Sequence, residues 1–163
     1  MDKKVLDYEL RSSEAFVLHV ASVFDDAEGN AAPLAGGFTV AQQLAHIAHT
    51  VHWFVDGAVH PTGFDMDFAA HHAAILATKS LADAREQVSS AYAAMRAWLA
   101  NSADAELAAP LPDGPIMPGI PKFCIVLGVI DHTAHHRGTL SAYARALGKT
   151  PPMPYEAQVS FEG

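Results

Sequence analysis

The chain has 163 residues, half of them apolar, which is enough for one domain (residues 1–163) with a sizeable core. A formal net charge of −8 provides no basic footprint for a phosphate backbone and so weighs against nucleic-acid binding. Ala is abundant, β-branched residues are comparatively sparse, and Pro and Gly cluster in a few stretches, which together favour an all-α fold.

Met1-Asp2-Lys3-Lys4 leads into a mixed polar segment without the pattern of a signal peptide. A first helix is expected near residues 5–27, with Leu10, Val17, Val20, Ala21 and Phe24 on one face and the stretch from Gly29 to Pro33 ending it. A second helix starts at Thr39, an N-cap whose capping-box partner is Gln42. Its apolar stripe runs Val40, Leu44, Ile47, Val51, Phe54 and Ala58, and His60-Pro61 closes it. Residues 61–79 form a connection long enough to cross a bundle, with a short helix around Phe68–Ala77 that carries His71 and His72.

Ser80 with Asp83 marks the start of a third long helix, striped by Leu81, Ala84, Val88, Ala91, Met95 and Trp98. Residues 101–121 hold five prolines and two glycines and read as a long ordered loop. The last long helix extends from about Pro121 to Ala146 or Leu147, with Gly148 as its C-cap and Pro151-Pro152 beyond it. Cys124 lies in its apolar run Phe123–Leu127 and reads as a small buried hydrophobe. A single cysteine cannot form an internal disulfide, and no run is long enough to span a bilayer, so a cytoplasmic protein is expected. Residues 149–163 carry no assignable pattern. Four amphipathic helices joined by one short and two longer connections point to a four-helix bundle with a long crossover between its second and third long helices.

Ten histidines are an excess, and their positions carry the information. On the last helix Ile125, Val129, His132, His136, Leu140, Tyr143 and Leu147 share one stripe, so two imidazoles replace apolar side chains at successive turns. Two such rings are either hydrogen-bonded core residues or two ligands of one ion, since each buried ring needs partners for both nitrogens. A third ligand must then come from another helix. The second helix offers His46, His49 and His52: His49 points away from the apolar stripe and reads as a surface residue, whereas His46 and His52 flank it on opposite sides. Trp53 on the side of His46 suggests that this flank is buried too. There is no His-Glu-x-x-His, Glu-x-x-His or Cys-x-x-Cys, which argues against zincin proteases, ferritin-like di-iron bundles and zinc fingers.

The segment Val40-Ala41-Gln42-Gln43-Leu44-Ala45-His46-Ile47-Ala48, together with Asp131-His132-Thr133-Ala134-His135-His136-Arg137-Gly138, resembles the DinB/YfiT-like superfamily of metal-binding four-helix bundles. That resemblance implies the ligand set His46, His132 and His136, an open-ended bundle with the ion at the base of a pocket, and a homodimer. It also implies a small-molecule substrate and activity of a hydrolase type, or of a transferase type using a low-molecular-weight thiol. Three neutral imidazoles suit Zn or Ni, with Fe or Cu possible, rather than Mg or Ca. A non-catalytic binding or stress-response module and a purely structural ion are the competing functions. Arg137 is expected to pair with an acid or to anchor an anion, Tyr143 to pack in the core, and Gly138 to permit close helix contact.

Overall fold

A computed structural model describes residues 2–161. Among these described residues six α-helices form, α1 Lys3–Ala21, α2 Val40–Val59, α3 Phe68–Ala77, α4 Leu81–Asn101, α5 Asp104–Ala108 and α6 Ile125–Ala146. The caps explain several boundaries. Thr39 Oγ1 accepts from Gln42 N–H at 3.2 Å while Gln42 Oε1 accepts from Thr39 N–H at 3.0 Å, a full capping box at the start of α2. Asp67 and Ser80 cap α3 and α4 in the same way through single side-chain bonds. At the end of α6, Gly148 adopts φ +77°, with Lys149 N–H on Ala144 O at 2.8 Å and Gly148 N–H on Arg145 O at 3.0 Å. These are the paired bonds of a Schellman cap, and they need the left-handed conformation that glycine takes at little cost.

Three segments differ from what periodicity suggests. The first helix stops at Ala21 instead of near residue 27, although Phe24 still reaches the core from the turn that follows. The loop over 101–121 contains the short helix α5, whose Leu107 is buried. A 3-10 turn over Lys122–Cys124 precedes α6, which leaves Cys124 only half-buried.

The four long helices make a bundle in which α2 packs on α4 and α6, and α1 packs on the same two, so α1 and α2 lie across one diagonal. Lys3 Nζ reaches Ser102 O and Arg85 reaches Ala21 O, so α1 and α4 run antiparallel. Phe54 meets Gly128 while Gln43 meets Tyr143, so α2 and α6 are antiparallel as well. Ala41 N–H bonds Gly29 O, and Gly29 also abuts Leu81, which brings the starts of α2 and α4 to the same end. These two neighbours are therefore parallel. The 60–80 connection must run back along the bundle between them, and α3 lies along α2 as it does so. The C-terminal segment descends beside α1, with Tyr155 against Phe16, Phe161 against Tyr8 and Arg11 on Ser160 O.

Leu10, Val17, Leu44, Ile47, Val88, Met95, Val129 and Leu140 belong to one contiguous core. A polar connection crosses it. Tyr92 O–H donates to Thr133 Oγ1 at 2.8 Å and accepts from Ser13 Oγ at 2.8 Å, joining α4, α6 and α1. Burial pushes the Tyr92 phenol up to about 12, so it stays protonated and able to donate. Because Thr133 adjoins His132, this satisfied network also holds the rotation of α6 that turns His132 inward. No helix among the described residues is long and apolar enough to cross a membrane.

Candidate metal centre

His46 lies two turns into α2, and His132 and His136 lie one turn apart on the facing stripe of α6. The antiparallel packing of these helices brings the three half-buried rings together, with centroids 4.9, 4.6 and 4.5 Å apart. His46 Nε2 and His132 Nε2 are 3.2 Å apart, and one nitrogen from each of the three rings lies within 4.8 Å of the others. Tetrahedral zinc with Zn–N bonds of about 2.0–2.1 Å would set its ligand nitrogens about 3.3 Å apart. The pair already meets that spacing, and the third ring needs only a small adjustment.

Surrounding groups determine which nitrogens are available. His136 Nδ1–H donates to Gln43 Oε1 at 2.8 Å, leaving Nε2 with its lone pair. The Gln43 orientation follows in turn from Tyr143, whose O–H donates to Phe38 O at 2.9 Å and whose lone pair faces Gln43 Nε2 at 3.5 Å. Gln43 is buried and Tyr143 is 1 % exposed. Gln43 carries no mark on the helical stripes, and Tyr143, expected to pack in the core, is also a hydrogen-bonding group. The available signal was a Gln one turn before His46 on the same inward flank. Phe38 stacks obliquely on His46 at 5.4 Å and covers that side of the cluster.

Burial, assisted by the mutual repulsion of the rings, keeps the cluster neutral at pH 7. It pushes His136 down to about 3 and His132 down to about 4, and it holds His46 below the ordinary imidazole value. His46 Nδ1 is buried without a hydrogen-bond partner. Three imidazoles with lone pairs and no protons to shed form a donor set that suits a borderline-soft divalent ion.

The other histidines separate clearly. His52 and His135 are exposed, as expected for His135. His49 is not a bare surface residue, because α3 covers it: His49 Nε2 lies 2.9 Å from His71 Nδ1. His71 Nε2 in turn faces Asp65 O at 3.2 Å and Asp65 Oδ2 at 3.6 Å. Helical-wheel reasoning on α2 alone could not see α3. His72 is exposed. Arg137 makes no ion pair among the described residues and sits over the Phe16 ring at 5.7 Å, a cation–π contact in place of the expected acid. A Cβ on Gly138 would meet nothing within 4 Å. The close approach occurs instead at Gly128, where a Cβ would stand 2.9 Å from the Phe54 ring.

An open cavity of about 550 Å³ adjoins the cluster, lined by His46 and His132 together with Trp53, Phe54, Phe68 and Ile75. His49 and His71 also line it. A groove of similar volume between α2 and α4 is lined by Asp83, Glu86 and Gln87 and shares His49, but it does not reach the three imidazoles.

Fold and site together define a four-helix bundle with a three-histidine cluster opening onto a cavity. The chain belongs to the DinB superfamily, whose family model matches residues 9–140. It is similar in structure to YfiT from Bacillus subtilis, a probable metal-dependent hydrolase with an unusual four-helix bundle topology, with a TM-score of 0.67, 17 % identity, and coverage of 92 % of this chain and 91 % of that one. No curated protein matches the chain by sequence.

Proposed function

We propose that His46, His132 and His136 hold one divalent transition-metal ion, zinc or nickel, and that the protein is a metal-dependent enzyme acting on a small molecule. The reaction is hydrolysis, or group transfer to a low-molecular-weight thiol. One observation carries this proposal: three neutral imidazole nitrogens converge, and two of the rings, His46 and His132, line a cavity that a small molecule can enter. The metal-dependent character ascribed to YfiT, which shares the fold, agrees with it. A bound divalent ion supplies Lewis acidity, bringing the pKa of a nearby water or thiol towards neutrality.

The remaining work falls to the chain. Gln43 orients His136 through Nδ1. His71 Nε2–H is engaged by Asp65, so its Nδ1 accepts from His49 Nε2–H, which leaves His49 Nδ1 as the basic atom. Burial, with His71 and His52 nearby, holds His49 below the ordinary imidazole value, so it is neutral at pH 7. A proton taken by His49 Nδ1 can pass from Nε2 to His71 Nδ1, where the Asp65 carboxylate offsets the charge. The solitary Cys124 agrees with a reducing cytoplasm, and a homodimer is the expected assembly.

The test is turnover. Zinc- or nickel-loaded protein, given a panel of small esters, amides and electrophiles with a thiol, is expected to turn over at least one of them, with activity abolished by chelation and by His136→Ala. Stoichiometric metal with no turnover on any of them would favour a binding module or a structural ion.

A further inference from the structure

The cavity beside the imidazole cluster combines two kinds of lining. Trp53, Phe54, Phe68 and Ile75 give it apolar walls, and its polar lining includes His46 and His132 of the cluster and the Asp131 carboxylate. The aromatic walls support one another: Trp53 packs edge-on to Phe54 at 5.3 Å and lies 6.2 Å from Phe68, and Phe64 backs both Trp53 and Phe54 at 4.6 and 5.8 Å. The one polar atom of the indole is already engaged, since Trp53 Nε1–H donates to Asp65 O at 2.6 Å. Its ring therefore contributes apolar surface. Gly128 continues the wall on α6 without a side chain, and Phe54 packs against that gap. Phe68, on α3, is 56 % exposed although its ring also meets His71 at 6.1 Å, so much of its face is open to a ligand. Among the described residues no Lys or Arg lines the cavity, so an anionic body entering it would find no counter-charge.

We infer that this cavity is a substrate subsite for an aromatic-sized apolar body, carried by a molecule whose polar head reaches the three-histidine ion proposed above, on which the inference rests. The volume falls within the roughly 300–1,000 Å³ typical of small-ligand sites, which are lined mainly by apolar and aromatic side chains with a few polar groups that orient the ligand. Burying the extra surface of a phenyl ring relative to a methyl group should strengthen binding about tenfold or more.

The probes are acetohydroxamate and benzohydroxamate, which share a metal-seeking head and differ in the body. Calorimetry on the zinc-loaded 163-residue chain measures both, with zinc content checked afterwards to exclude stripping. Benzohydroxamate is expected to bind about tenfold or more tightly and to change Trp53 fluorescence in a Trp98→Phe background, where Trp53 is the remaining tryptophan. Phe68→Ala, at an exposed position that the fold does not require, should lower that preference several-fold, and Trp53→Ala should lower it further, with zinc retained in both. Equal affinities, a preference untouched by both substitutions, or zinc held while neither probe binds would overturn the subsite and leave the metal centre standing. Failure to hold zinc at all would remove the metal centre and the subsite with it.

Discussion

Each of the three imidazoles has a different support. His136 is held by Gln43, His132 by the rotation of α6 that Thr133 and Tyr92 maintain, and His46 by its place beneath Phe38. Removing a group that orients a ligand typically lowers metal affinity about 10–100-fold. Gln43→Ala is therefore expected to weaken zinc by that factor in a chelator-competition titration while the circular dichroism stays unchanged; unaltered affinity would mean that Gln43 only packs. The same rings imply a direction for pH dependence. His132 and His136 fall to about 4 and about 3 in the folded chain, against about 6.5 when unfolded. The unfolded chain thus binds protons first as pH falls. Stability of the metal-free protein is then complete above about pH 6.5 and is lost progressively from there down to about pH 3. Urea midpoints should fall between pH 7 and pH 4.5, and less steeply in His132→Leu/His136→Leu; identical slopes would contradict burial as the cause. At this level the sequence was only partly legible. The spacing of His132 and His136 on an apolar stripe marks them, whereas His46 and His52 flank their stripe alike, and only Trp53 and the family resemblance separate them. His49 owes its surroundings to α3, His71 to α2 and Asp65, and Arg137 to α1, which no pattern on their own helices encodes.

Helix boundaries followed local chemistry wherever a cap was present. The Thr39–Gln42 box, Ser80 and Gly148 set ends that are visible in the sequence because each depends on residues within a few positions. The end of α1 was misjudged because Phe24, which is buried, continues the apolar face after the helical bonds have stopped. α5 is a five-residue helix just ahead of the prolines, too brief for periodicity to register. Thr39→Ala should cost about 1 kcal/mol of stability by removing the cap at the head of α2. Gly148→Ala should cost about as much through its φ of +77°. Thermal or urea unfolding measures both, and since neither residue belongs to the three-histidine cluster, zinc stoichiometry should not change.

The arrangement of the bundle was legible as a class and not as a layout. Four stripes and a long crossover indicate four packed helices, but parallel α2 and α4 and the diagonal of α1 and α2 depend on long-range contacts such as Gly29 with Leu81. That layout sets α6 antiparallel to α2 and so brings their histidines face to face. Because the core is contiguous without the cluster, chelation should lower the melting temperature and leave the protein folded; zinc in excess of its Kd by about 100-fold adds about 2.7 kcal/mol. Complete unfolding on chelation would instead point to a structural ion. The central claim is ligation by His46, His132 and His136, and elemental analysis of untagged protein tests it most directly, on wild type, on each of the three His→Ala variants, and on His52→Ala and His135→Ala as exposed controls. Near one zinc or nickel ion per chain, lost in the three variants and retained in the controls, is the predicted result; wild-type protein that takes up no ion even after incubation with zinc or nickel would contradict it.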